Sequence, residues 1–372
     1  MDKRQFMFKY VFFLLKKGRL KKFFNLFWVY PLWLNFTLRG FLTNKVFPFL
    51  KLDFYPPFLE VEPTTVCPLR CKMCEHTYWK EKALNMSFKQ FKKIIDQFPK
   101  LKWIGMTGIG ESFSNPDFMT MVEYVSKKQK PIFELVDNFF LLDKSKAEKI
   151  VDLGIDIMFV SMCGATAKTC DGIMKNSSFE RVIKNIKDFV NVKEERKSFT
   201  PLLNFHYILI KDNMHEALKF LDFIKSLKVD VFEVLYTPLL HGFKETKDQE
   251  IDIKEVEKLK AKIISKSKKI GINVGFNEVI MGSKPSISSC ANWLMPFIFA
   301  TGEVIPCCTM NEANARDRQK YLSMGNVFKK SFKDIWYGKK YKDFREIIRD
   351  GKVPPFCAGC PVYKESCHSF KN

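Results

Sequence analysis

Residues 58–74 read FLEVEPTTVCPLRCKMC, a short apolar strand running into a loop that carries Cys67, Cys71 and Cys74 within eight residues. Three thiolates at Cys-x3-Cys-x2-Cys spacing can hold three irons of a 4Fe–4S cube on one loop, leaving the fourth iron open for chemistry. Structural zinc is the competing reading. Zinc sites usually pair two Cys-x2-Cys units or add histidines, and only His76 stands nearby. Alternation in the strand puts Glu60 and Glu62 on one face and Leu59 and Val61 on the other. Carboxylates facing a barrel lumen need partners or a function there.

Downstream of this strand, apolar runs alternate with helical patterns. The expected strands are Phe58–Glu62, Trp103–Thr107, Ile132–Val136, Ile155–Val160, Leu202–Ile210 and Val229–Leu235. Ser87-x-x-Gln90, Asn213-x-x-Glu216 and Asp252-x-x-Glu255 have the form of capping boxes or close relatives, and Gly154 suits a left-handed cap after a helix over Ser145–Leu153. Six such βα repeats predict an α/β fold with a parallel sheet, most simply a six-strand partial (β/α)6 barrel. Functional loops of such barrels lie at the carboxyl ends of the strands, where the cysteine loop falls. From about Cys290 the pattern becomes a hairpin, Phe297–Cys308, turning at Gly302-Glu303. A helix over Ser331–Arg349 and a cysteine-rich end follow.

The 372 residues, 46% of them hydrophobic, can bury a large core plus a smaller unit. The eleven cysteines cluster in a long chain whose start does not read as a secretory leader, which points to metal or redox chemistry in a reducing cytoplasm rather than to disulfides. The net charge is +21. Residues 1–57 hold 11 Lys/Arg against 2 Asp, and 17 of the 55 aromatic residues. Basic residues attract anionic headgroups while Phe and Trp enter the acyl boundary, so this basic, aromatic extension (1–55) reads as a membrane-interface anchor or as a helical segment packed on the domain. No run is long enough to span a bilayer, and no recognised nucleic-acid module accompanies the charge.

Taken together these motifs resemble the radical S-adenosylmethionine (SAM) superfamily. The Cys67-x3-Cys71-x2-Cys74 spacing is its signature, Val61-Glu62-Pro63-Thr64-Thr65 is similar to its lead-in, and Gly108-Ile109-Gly110-Glu111 is similar to its Gly-Gly-Glu motif. The end of the chain resembles the SPASM/Twitch extension, with Cys290, Gly302-x4-Cys307 and Cys357-x2-Cys360. The resemblance implies a radical SAM barrel over 56–280 and an auxiliary-cluster domain over 281–372. It implies that Cys67, Cys71 and Cys74 hold a SAM-binding 4Fe–4S cluster, and that Cys290, Cys307, Cys357 and Cys360 hold a second, auxiliary one. Cys308 and Cys367 are spare, either buried free thiols or ligands in place of a neighbouring cysteine, and Cys163 and Cys170 read as core. SAM contacts are implied for Gly108, Gly110, Glu111, Asn138 and Ser161. The chain departs from the family at Asp137-Asn138, at Ser161-Met162-Cys163-Gly164, and at Ser112.

The activity this implies is reductive cleavage of SAM to a 5′-deoxyadenosyl radical that takes hydrogen from a substrate C–H bond. It requires a reducing donor such as flavodoxin or ferredoxin. The expected substrate is a carbohydrate or other small molecule, a lipid-linked compound or a peptide. The basic extension tilts the expectation toward a substrate at the membrane. Asn204 and His206 share one face of the fifth strand and Tyr236 ends the sixth. They are the substrate-side candidates, with His206 the catalytic one. The competing reading is a non-catalytic iron–sulfur protein that keeps the fold for binding or electron transfer.

Overall fold

The computed structural model describes residues 3–26, 40–50, 55–239, 244–276, 285–307, 316–360 and 362–363. Among the described residues the strands are β1 (Phe58–Val61), β2 (Arg70–Cys71), β3 (Trp103–Met106), β4 (Ile132–Asp137), β5 (Ile157–Met162), β6 (Met174–Lys175), β7 (Leu202–Leu209), β8 (Val231–Pro238), β9 (Val274–Phe276), β10 (Phe297–Ile298), β11 (Glu303–Ile305) and β12 (Gly325–Asn326). Ten form one sheet in the order β12-β11-β10-β1-β3-β4-β5-β7-β8-β9, parallel from β10 to β9. The six expected strands are its centre. The sheet extends beyond them, with β9 at one side and β10 parallel to β1 at the other, so the C-terminal hairpin continues the barrel sheet.

Helices cover the outer face, and their starts follow from the sequence. Ser87 and Gln90 make both halves of a capping box at the helix Phe88–Ile95, Asp252 caps Ile253–Ile270, and Gly154 closes Lys144–Leu153 at φ 71°. Asn213 behaves differently from expectation. Its side chain is buried and binds the carbonyls of Cys163 and Ile208 and the Ile210 N–H, and Glu216 turns back to Ala165 N–H and the Thr166 hydroxyl. The pair pins the loops after β5 and β7 and caps nothing. The expected helix Ser331–Arg349 is two, Phe332–Trp336 and Lys339–Arg349, broken at Gly338.

Strand alternation sorts the side chains. On β7, Phe205 and Tyr207 pack outward on Phe220, and the Tyr207 ring lies 4.5 Å from it, while Asn204 and His206 take the other face. Tyr236 corrects the sequence reading. It is fully buried on the outward face, donating its hydroxyl to the Ala217 carbonyl at 2.9 Å, and is a core residue. Its neighbour Thr237 takes the lumen position.

Residues 3–26 of the extension pack on the amino-terminal end of the barrel, while Asn44 donates to the carbonyls of Ser288 and Cys290 in the C-terminal region. Phe6 meets Phe232 edge-on at 5.5 Å, and Phe6 and Phe13 flank Phe199. Asp156, buried just before β5, accepts from the Tyr10 hydroxyl (2.7 Å), from Phe133 N–H (2.8 Å) and from the buried Lys22 ammonium. Among the described residues no helix is long and apolar enough to cross a membrane.

Candidate functional site

The loop after β1 is held from several sides. Arg70–Cys71 pairs antiparallel with Met174–Lys175, and Lys72 N–H donates to the Ile173 carbonyl at 2.9 Å. The Arg70 guanidinium donates to the carbonyls of Cys67 and Leu69, both at 2.7 Å. Cys74 then begins the short helix Glu75–Tyr78. The three thiols gather closely enough to act on one another. Burial pushes Cys67 up to about 11, with Cys74 adding, and burial raises Cys71 well above the ordinary thiol range, with Cys74 and Cys67 adding. Crowded thiols whose ionised forms repel become stable thiolates only beside a shared positive group, and an iron–sulfur cube supplies one. His76 is not aimed at such a role, because its Nε2 donates to the Thr65 carbonyl at 2.9 Å. Among the described residues no three metal-binding side chains converge on a single ion. Thiols that each bind a different iron of a cube need not do so.

The Gly108–Glu111 segment lies against this loop, backbone to backbone. A Cβ on Gly110 would stand 2.5 Å from the Thr64 carbonyl oxygen, and one on Gly108 would stand 2.3 Å from the Glu62 Cγ. Both positions therefore require glycine. Glu111 turns toward the ends of the next strands, where its carboxyl meets Asn138 through both side-chain and backbone N–H groups. Asp137 lies beside it. Burial, then the neighbouring Asp137 charge, raises Glu111 well above the ordinary carboxylate range, and burial raises Asp137 as well. That arrangement suits a cationic amine. Asp137 was visible in the sequence only as a departure from a family motif, and its partnership with Glu111 had no sequence signal.

Ser161 on β5 and His206 on β7 are register partners, so both reach the same part of the lumen. His206 Nε2 is bonded to the Thr237 hydroxyl at 2.8 Å, and burial lowers its pKa to about 4. Below them lie Glu60 and Glu134, flanking Gly105 across β1, β3 and β4. Burial, then Glu60, pushes Glu134 up to about 8.

The C-terminal thiols form a second group. Cys290, Cys307, Cys357 and Cys360 are all buried, and Cys357 is raised by burial and then by Cys307, Cys290 and Cys360. The two thiol groups are bridged by a contact that sequence reasoning missed. Arg316 donates two hydrogen bonds to Glu62, at 2.8 and 2.7 Å, with both side chains almost fully buried. Its guanidinium lies 4.7 Å from the Trp79 ring and 4.5 Å from the Phe299 ring. Glu62 also accepts from Ile109 N–H and Ala300 N–H, each at 3.0 Å. One carboxylate thus joins β1, the glycine segment and the C-terminal hairpin. Cys308 and Cys367 lie outside the described residues, whereas Cys163 and Cys170 are core as expected.

Comparison with known proteins agrees with this geometry. The Radical SAM superfamily model matches residues 61–224, and the iron–sulfur cluster-binding SPASM domain matches 290–361. The tungsten-containing aldehyde ferredoxin oxidoreductase cofactor-modifying protein of Pyrococcus furiosus is 28% identical over 332 residues, covering 84% of this chain and 89% of that one. Among solved structures, Streptococcus suis SuiB bound to S-adenosylmethionine superposes with a TM-score of 0.63 at 17% identity, covering 83% of this chain and 72% of SuiB. Native anSMEcpe with bound AdoMet gives 0.60 at 16% identity, covering 82% and 87%. At these identities the two structures speak for the fold alone. Residues 61–224 thus carry a Radical SAM superfamily domain, which implies a 4Fe–4S cluster and SAM, and residues 290–361 carry an iron–sulfur cluster-binding SPASM domain, which implies auxiliary cluster binding.

Proposed function

We propose that this chain is a radical SAM modifying enzyme that takes a hydrogen atom from a C–H bond of a small-molecule or peptide substrate in the barrel lumen. The observation that carries the reading is the placement of three mutually crowded thiols beside a buried acidic pair, at the carboxyl ends of adjacent strands. When bound, the cluster and SAM supply reductive bond cleavage and a hydrogen-abstracting radical. The chain's own residues hold and orient. Cys67, Cys71 and Cys74 would ligate the cluster. Gly108 and Gly110 let their segment lie against Glu62 and Thr64 and would set its backbone beside SAM, and Glu111 with Asp137 would face its ammonium, with Asn138 and Ser161 alongside. His206, neutral at physiological pH, would orient the substrate rather than carry a proton.

Cys290, Cys307, Cys357 and Cys360 would fully ligate an auxiliary cluster suited to electron transfer, fed by a flavodoxin- or ferredoxin-type donor. On this reading the chain divides into an extension (1–55), a barrel (56–280) and an auxiliary-cluster domain (281–372). The cofactor-modifying name of the Pyrococcus furiosus relative, which aligns along most of this chain, favours a small-molecule substrate. A lipid-linked substrate loses support, since residues 3–26, which hold the exposed basic and aromatic face, pack at the end of the barrel opposite the cysteine loop.

The test is anaerobic reconstitution followed by incubation with SAM and dithionite. The expected result is about eight irons per chain and 5′-deoxyadenosine formation that Cys71→Ala abolishes. Iron loading without 5′-deoxyadenosine above that variant would make the chain a non-catalytic iron–sulfur protein. About four irons would remove the auxiliary cluster.

A further inference from the structure

The helix Lys3–Lys16 has two apolar faces. Phe6, Tyr10, Phe13 and Leu14 are buried against the barrel. On the opposite side Phe8, Phe12 and Leu15, spaced as one helical stripe, are 74%, 60% and 44% exposed. Helical residues 20–26 repeat the pattern: Lys22, Asn25 and Leu26 are buried, while Leu20 and Phe24 are 54% and 61% exposed. A helix apolar on both sides has a second surface to cover.

Charge identifies the cover. Residues 3–26 contain eight Lys/Arg and no Asp or Glu. Lys9, Lys16, Lys17 and Lys21 are exposed among the bare apolar side chains. Partial burial, then the nearby Lys102 and Lys130, lowers the Lys21 pKa, so three like charges crowd one spot that an anionic headgroup would relieve. A second copy of the chain, docked by this same face, would set Lys9, Lys16, Lys17 and Lys21 against the same four cations. A nucleic acid would satisfy the lysines and leave five large apolar side chains in water. A lipid surface with anionic headgroups satisfies both, the apolar tips entering the acyl boundary.

We propose that residues 3–26 form the face by which this protein rests on an anionic membrane surface, with the cysteine-loop end of the barrel turned to the aqueous phase. The orientation follows from Asp156, Phe199 and Phe232, the docking points of the helices. Each precedes or begins its strand, whereas the cysteine loop follows β1. Only the orientation's bearing on catalysis rests on the radical SAM reading. The membrane contact stands or falls separately, and together they favour a substrate that arrives from solution.

The test uses the full reconstituted chain, sedimented anaerobically with phosphatidylcholine vesicles with and without phosphatidylglycerol. Partition is expected to be at least about tenfold stronger on the anionic vesicles, and to fall at least about tenfold in Phe8→Ser/Phe12→Ser/Phe24→Ser with an unchanged thermal midpoint. Hydrogen exchange of the vesicle-bound chain is expected to slow over residues 8–24 and to stay unchanged over 67–78. Should the triple variant misfold, Lys9→Glu/Lys16→Glu/Lys17→Glu is expected to give the same loss. Equal pelleting of wild type and a folded variant, or no wild-type pelleting on anionic vesicles, overturns the membrane contact. Slowed exchange over 67–78 instead of 8–24 overturns the orientation.

Discussion

His206 shows how burial sets a side chain's chemistry. Its ring sits in the lumen with Nε2 on the Thr237 hydroxyl, and desolvation alone holds its pKa near 4. In the unfolded chain the imidazole titrates near the ordinary value of about 6.5. Between the two values the unfolded state binds more protons. The neutral ring's contribution is therefore fully present above about pH 6.5 and is lost as pH falls toward about 4. His206→Gln keeps a hydrogen-bonding group and removes the titration. We expect the variant to flatten the acid limb of stability against pH, by on the order of 3 kcal/mol across that window. Urea midpoints measured at several pH values check it, and parallel acid limbs in variant and wild type would place the ring in water. The sequence marked His206 and Asn204 correctly as sharing a face. It could not show that Thr237, rather than Tyr236, completes that face, because the alternation on β8 had no anchor until Tyr207 and Tyr236 were both seen against the outer helices.

At the scale of elements, the six central strands were legible because each is an apolar run bounded by a readable helix start or stop. β9 was not, since a strand of three residues carries no periodicity and is a strand only by pairing with β8; β10 is legible as the first arm of the hairpin, but its pairing with β1 is not. The sequence marks the extension as basic and aromatic, a pattern that fits both docking and membrane binding. Asp156 decides that docking occurs. It lies 134 residues from Lys22 and 146 from Tyr10, a distance that no local pattern spans. Removing one member of a buried charged pair leaves the other uncompensated, so Asp156→Ala is expected to cost about 3–5 kcal/mol. It is also expected to open the 16–22 segment to trypsin. Replacing both partners with apolar residues, Lys22→Met/Asp156→Leu, is expected to recover much of the loss. Denaturant midpoints and the rate of tryptic cleavage check both. If Asp156→Ala leaves cleavage unchanged, the aromatic contacts of Phe6 and Phe13 alone hold the extension.

For the whole molecule, the decisive contact joins the two cluster-binding regions. Glu62 directly follows β1 and Arg316 begins the helix Arg316–Tyr321 in the C-terminal region, 254 residues later. The carboxylate receives Arg316, Ala300 N–H and Ile109 N–H together, so the position of the glycine segment depends on the C-terminal domain being in place. The tight approach of Gly108 to Glu62 makes the dependence stiff, since the segment cannot move toward β1 without collision. Arg316→Met keeps most of the apolar stem between Trp79 and Phe299 and deletes the charge. Glu62 then remains buried with two backbone donors and no cation, at an expected cost of about 3–5 kcal/mol. A purely structural strut would lower stability and nothing else. If instead Glu62 positions the SAM segment, SAM affinity measured calorimetrically on the folded, reconstituted variant falls by roughly tenfold, equivalent to about 1.4 kcal/mol. Glu62→Gln/Arg316→Met separates the two effects. Removing the buried charge is expected to restore part of the stability. A Gln amide in the same place still accepts from only one of the two backbone donors, so SAM affinity is expected to stay low. Full recovery of both would mean that the charge pair fastens the domains together without setting the segment's geometry.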